Sequence, residues 1–179
     1  MTILTDDSIF IHIPKNAGTS ISNWLIDNCK GKWYKPKSWQ GKHFMLNQLP
    51  TPHRIRRNTI FCCVRNPWQR AFSYYNYYKN TENRAVDGLT FEEYVMNTDM
   101  AQFKVPQLSY IDPSTIVLRY ENLWEDFKIM QEFYDCYKPL DIKNSSGGSI
   151  DYKDHYNEDM ITKVGLIAAK DIAHFDYKY

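Results

Sequence analysis

The order of apolar runs along this chain predicts an α/β fold with a central, mainly parallel sheet flanked by helices. Three runs rich in β-branched and aromatic residues, 8–13, 60–65 and 115–119, are each followed by a stretch with apolar residues at helical spacing. Strands that alternate with helices build a parallel sheet, and such sheets bind ligands at the carboxyl ends of their strands. Two of the strand-to-helix junctions, 14–20 and 65–73, gather cations, hydroxyls and a helix start at that end.

Taken in order, strand 8–13 runs into Pro14-Lys15-Asn16-Ala17-Gly18-Thr19-Ser20, and Ile21, Trp24 and Leu25 then mark a helix over 18–29. Segment 30–58 is basic and reads as irregular. Strand 60–65 follows, then helix 67–79 with Pro67 in its first turn. A turn-like stretch at 80–89 leads to a short helix at 90–98, with Phe91, Tyr94 and Val95 on one face. Residues 99–114 read as loop with a short helical turn, and strand 115–119 comes next. A helix is expected over 122–137, with Asn122 as N-cap, Glu125 three residues on, and a stripe of Leu123, Phe127, Met130, Tyr134 and Tyr137. Asn144-Ser145-Ser146-Gly147-Gly148 marks a loop. The last helix is expected over 158–174, with Ile161, Val164, Ala168 and Ile172 inward. There are no internal repeats, and 179 residues suit a single domain, 1–179.

Composition narrows the class. Hydrophobic residues make up 43% and charged residues 24%, ordinary globular values. No apolar run approaches the roughly 20 residues that span a bilayer, and 1–8 is polar and acidic, unlike a signal peptide. Cys29, Cys62, Cys63 and Cys136 show neither C-x-x-C nor metal-ligand spacing, so neither a disulfide framework nor a zinc site is expected. The net charge of +1 hides an asymmetry: no acidic residue lies between Asp27 and Glu82, while that stretch holds 11 of the 22 Lys and Arg residues. A local positive field of this kind concentrates anions. Aromatic residues interleaved with the cations, Trp33, Tyr34 and Trp39, also suit stacking on a single nucleic-acid strand. No nucleic-acid module accompanies them, so no nucleic-acid partner is expected.

The first junction suits a phosphate. It aims backbone N–H groups and the positive end of a helix dipole at one point, and Lys15 adds a full charge. Gly18 is expected to let the backbone approach the ligand closely. The Walker pattern is absent, because the lysine precedes the one glycine of this loop. In the second junction Arg65 ends a strand, and Arg70, Ser73 and Tyr77 share one helix face. A guanidinium and a hydroxyl converging on one anion hold a terminal phosphate.

Pro14-Lys15-Asn16-Ala17-Gly18-Thr19-Ser20 resembles the 5′-phosphosulfate loop of the sulfotransferases that use 3′-phosphoadenosine 5′-phosphosulfate (PAPS). Arg65-Asn66-Pro67-Trp68-Gln69-Arg70-Ala71-Phe72-Ser73-Tyr74-Tyr75 resembles that family's 3′-phosphate motif, R-x-P-x-x-R-x-x-S-x-Y. Ile116-Val117-Leu118-Arg119-Tyr120-Glu121-Asn122-Leu123-Trp124-Glu125-Asp126-Phe127 is similar to a strand and helix start of the carbohydrate-type branch. Tyr152-Lys153-Asp154-His155-Tyr156 and Asp171-Ile172-Ala173-His174-Phe175-Asp176-Tyr177 resemble that branch's closing segment.

The resemblance implies a P-loop-like three-layer fold and sulfuryl transfer from PAPS to a hydroxyl acceptor, a glycan or another small molecule, with PAP as product and no metal. It implies that Lys15, Asn16, Ala17, Gly18, Thr19 and Ser20 hold the 5′-phosphosulfate and that Arg65 and Ser73 hold the 3′-phosphate. Lys15 would also stabilise the departing oxygen. Gly41-Lys42-His43-Phe44-Met45 resembles the element that carries the general base in related glycan sulfotransferases, which makes His43 the expected base. His12, within the first strand, is expected to be core or a support. Golgi members carry an N-terminal anchor that this chain lacks as given, so a cytoplasmic enzyme of a microbe or virus is expected, with an oligomer left open. Alternatives are a P-loop-like nucleotide kinase, opposed by the missing Walker lysine, and a non-catalytic nucleotide-, glycan- or nucleic-acid-binding protein.

Overall fold

The computed structural model describes residues 2–34, 43–55, 59–81, 86, 88–141 and 151–179. In chain order the elements are β1 (Ile3–Leu4), β2 (Ser8–Ile11), α1 (Gly18–Cys29), β3 (Lys32–Trp33), α2 (Thr51–Ile55), β4 (Thr59–Val64), α3 (Pro67–Asn80), α4 (Phe91–Asn97), β5 (Ile116–Arg119), α5 (Leu123–Asp126), α6 (Lys128–Phe133), α7 (Glu158–Ile167) and α8 (Ala169–Phe175). The chain divides into two compact units. One comprises Met1–Val64 and Ser109–Lys143, the other Arg65–Leu108 and Asn144–Tyr179.

The first unit holds the sheet, in the order β3-β1-β2-β4-β5. The long strands β2, β4 and β5 are parallel, with Phe10 opposite Phe61 and Cys63 opposite Leu118. The two-residue strands β1 and β3 extend the sheet antiparallel from β2. They were not foreseen, and β3 lies inside the segment read as irregular. A strand of two residues carries no alternation from which it can be read. Ile3, Phe10, Phe61, Cys63 and Leu118 form one core with Ile21 and Leu25 of α1 and with Phe127 and Met130 around α6. The alternate residues Ile9, Ile11, Cys62 and Val64 are equally buried. A sheet buried on both faces needs the near-continuous apolar strands seen here.

Helix α1 begins and ends where the sequence places it. Strand β2 stops two residues earlier than expected, because the Ile13 N–H turns back to the Ile11 carbonyl at 3.1 Å. The helix expected over 122–137 is broken into a 3₁₀ turn at Tyr120–Asn122 followed by α5 and α6. Asn122 does not cap with its side chain; its amide donates to Asp126 at 2.8 Å, and the other Asp126 oxygen accepts the Arg119 N–H at 2.7 Å. The expected stripe is buried at Leu123, Phe127 and Met130 and runs out at Tyr137, which is exposed.

The second unit is helical. Asn66 caps α3 by accepting the Trp68 N–H at 3.1 Å, with Pro67 at the first helical position. Thr90 and Glu93 form a reciprocal capping box at the start of α4. Its core unites Trp68, Tyr74 and Tyr75 of α3 with Tyr94 and Val95 of α4 and Val164 of α7. The helix expected over 158–174 is interrupted at Ala168, which ends α7 and precedes α8.

Candidate active site

In the first unit, the loop after β2 has an unusual backbone. Lys15 and Ala17 both adopt positive φ, 69° and 55°. An L-residue in the left-handed region costs about 1–2 kcal/mol, and such strain concentrates at ligand-holding loops. Backbone of this kind gathers N–H groups into anion-binding concavities. Ala17 is also the N-cap of α1, and no side chain caps the helix start. Asn16 is buried and donates its side-chain amide to the Cys63 carbonyl at 2.8 Å, which ties the loop to β4. Thr19 is exposed and Ser20 buried.

Gly18 has a reason the sequence did not reveal. A Cβ added there would lie 2.0 Å from Cδ2 and 2.1 Å from Nε2 of His12. The glycine therefore makes room for an imidazole. His12 is buried, and His43 packs against it edge to face with ring centroids 4.9 Å apart. His43 Nδ1 lies 3.0 Å from the His12 carbonyl oxygen. A carbonyl only accepts, so Nδ1 carries the proton, and in the neutral ring the lone pair resides on Nε2. His43 is half-buried. The expected base is thus linked through His12 to the glycine of the expected phosphate loop.

In the second unit, Arg65 follows directly on β4. Its Nε donates to Gln69 Oε1 at 3.1 Å, one turn along α3. Ser73 is buried on α3 two turns further on. Arg70 is 1% exposed and lies over the rings of Tyr74 and Phe103 at 5.4 and 5.5 Å from their centroids. That placement makes Arg70 part of the packing of α3 through cation–π contacts. Tyr77, expected on the same face, is exposed.

A model of the sulfotransferase family matches residues 3–139. The chain belongs to the sulfotransferase family. An uncharacterized protein of Archaeoglobus fulgidus is 27% identical over 100 residues, which make up 52% of this chain and 82% of that protein. The crystal structure of mouse sulfotransferase SULT7A1 complexed with PAP matches with a TM-score of 0.59 at 14% identity, covering 96% of this chain and 85% of that one. At that identity the likeness establishes the shared fold: a mostly parallel sheet flanked by helices, with a P-loop-like architecture.

The remaining residues of this sulfotransferase fall as follows. Lys15, Asn16, Ala17, Gly18, Thr19, Ser20 and His43 lie in the first unit, and Arg65 and Ser73 in the second. Of the aromatic residues in the basic segment, Trp33 sits in β3 and packs partly against the first unit's core. Trp39 and Lys42 lie outside the described residues. Among the described residues no group of three or more His, Cys, Asp or Glu side chains is arranged to hold a metal ion. Among them, too, no helix is long and apolar enough to cross a membrane. A cavity of about 270 Å³ in the first unit is lined by Ser20, Trp24, Asp27 and Asp141, among others.

Proposed function

We propose that residues 1–179 act as one sulfotransferase domain that moves a sulfuryl group from PAPS to a hydroxyl of a carbohydrate. The observation that carries the reading is the His43–His12–Gly18 contact, in which an imidazole of defined tautomer lies beside the loop that suits the donor. The donor set of that loop fits the 5′-phosphosulfate: strained backbone at Lys15 and Ala17, an uncapped helix start and the Lys15 ammonium. Arg65 and Ser73 hold the 3′-phosphate. PAPS, when bound, supplies the activated sulfuryl group. Lys15 neutralises charge on the oxygen that bridges to the 5′-phosphate, where it is most useful as the bond breaks. His43 Nε2 takes the acceptor proton. A glycan acceptor is favoured by the similarity of the His43 and 119–127 segments to the carbohydrate branch, and by the cations Lys30 and Lys32, both exposed. These suit an acceptor bearing carboxylates or sulfates.

The test is a screen of glycan and small hydroxyl acceptors with radiolabelled PAPS, alongside PAP and ATP binding by calorimetry. Label transfer to a glycan with PAP binding supports the reading. PAP binding without transfer to any acceptor points to a non-catalytic protein, and ATP bound in preference to PAP points to a kinase.

A further inference from the structure

Arg65 is held by residues far away in the sequence. The Arg65 N–H donates to Gln107 Oε1 at 2.9 Å, and Gln107 Nε2 donates to the Arg65 carbonyl at 2.9 Å. One side-chain amide thus satisfies both backbone groups of one residue, as a neighbouring strand would. Gln107 is 0% exposed. Behind it lies Asp171, 1% exposed, whose two carboxylate oxygens accept the N–H groups of Gln107 at 2.9 Å and Leu108 at 3.0 Å. Asn66 and Trp68, one and three residues after Arg65, are also tied down. Asn66 Nδ2 donates to the Lys178 carbonyl at 2.8 Å, and the Tyr156 hydroxyl donates to the Trp68 carbonyl at 2.8 Å.

Packing alone would not require this arrangement. A buried amide and a buried carboxylate are costly to desolvate unless their hydrogen bonds are made, and an apolar side chain would fill the same space. These groups instead meet on the backbone of the one arginine expected at the 3′-phosphate. Bidentate contacts of a guanidinium are geometrically specific, and a fixed main chain removes one source of freedom from its placement. We infer that Gln107 is a positioning residue for Arg65 on the 3′-phosphate of the donor, with Asp171 holding Gln107 in place. This also gives the closing segment around Asp171 a role: it sets the donor-binding arginine from the far end of the chain. The inference rests on the proposed function of Arg65 above.

The experiment compares PAP with AMP, which differ only in the 3′-phosphate. The ratio of their dissociation constants is measured by calorimetry for the wild type, Arg65→Ala, Gln107→Met and Asp171→Asn. Gln107→Met is expected to weaken PAP about five- to tenfold while leaving AMP nearly unchanged, as two net hydrogen bonds would allow. Asp171→Asn is expected to do the same less strongly, and it carries the test if Gln107→Met fails to fold. A merely structural role would weaken PAP and AMP alike, and that outcome overturns the inference. So does an unchanged ratio in both variants while Arg65→Ala raises that of PAP to AMP, which leaves the Arg65 reading intact. An unchanged ratio in Arg65→Ala removes the 3′-phosphate assignment itself and the inference with it.

Discussion

The loop after β2 and the start of α3 both suit a phosphate, yet they are built in opposite ways. The first is local. Its donors are backbone groups shaped by positive φ at Lys15 and Ala17, and its cation lies within the loop itself. The second depends on distance. Its arginine is set by Gln107, 42 residues on, and by Asp171, 64 residues beyond that. Local construction makes a site rigid through its own strain, whereas remote construction makes it depend on the tertiary fold. A substitution in the first should act on the chemistry next to it. One in the second should act through donor affinity.

The largest expected effect tests the first half of that contrast. His43→Ala should leave PAP affinity nearly unchanged and lower turnover about 10²–10⁴-fold, the usual contribution of a general base. Wild-type turnover should fall as acid protonates the imidazole, and the variant should lose that dependence. Near-normal turnover by His43→Ala on its true acceptor would remove the base from beside this loop and end the contrast. Lys15→Ala, by comparison, should harm both affinity and turnover, since the cation meets the donor before and during transfer.

The second prediction addresses the α3 side. Arg65→Ala should weaken PAP about ten- to a hundredfold, the worth of one charge-assisted contact. AMP binding should change little, and so should turnover at saturating donor. Equal losses for PAP and AMP in calorimetry would show that Arg65 supports the fold generally.

The two regions were not equally legible in the sequence, and the physical reason is the same. Residues 14–20 announce themselves because strand, glycine, lysine and helix start are contiguous. Helix α1 was placed to the residue because Ile21, Trp24 and Leu25 repeat at helical spacing and are all buried. The Arg65 and Pro67 motif was equally visible, but what holds it was not. Gln107 lies in a stretch that reads as loop, and nothing in its neighbourhood signals a partner at 65. Strands β1 and β3 were missed because each pairs over two residues only. The breaks at Phe127 and Ala168 were missed because apolar periodicity continues through them. Gly18 was legible as necessary, but one of its reasons was not: its missing Cβ accommodates His12, a contact that depends on the loop closing back on β2.

That closure gives the third prediction. Gly18→Ala places a methyl where the His12 ring stands, and the ring or the loop must shift. Such overpacking costs about 1–3 kcal/mol. Because His12 touches His43, turnover should fall as well. The double variant His12→Ala/Gly18→Ala should recover much of the stability and little of the activity. Urea denaturation of the single and double variants checks it. Strictly additive losses would mean that the two residues do not meet.

The smallest expected effect lies on β4, the strand both regions share: the Cys63 carbonyl receives Asn16, and Val64 leads into Arg65. Next to Cys63, burial pushes the Cys62 thiol from 9.0 up to about 12. Its contribution to stability is therefore complete below pH 9 and is lost as pH rises from 9 to 12, where the unfolded chain has released a proton that the folded chain keeps. The loss should reach about 1.4 kcal/mol by pH 10, one unit above the unfolded value. Cys62→Val, similar in volume, should remove that share of the alkaline decline and leave stability at pH 7 within about 1.5 kcal/mol of the wild type. Tyr94, which is buried, and Tyr156, which is partly buried, are also raised by burial and would still contribute a decline of their own. Denaturation at pH 7 and pH 10 decides. If the two proteins lose stability in parallel, the thiol titrates as an exposed one and β4 is open to water, and a strand open to water would be a weak support for the loop that Asn16 ties to it.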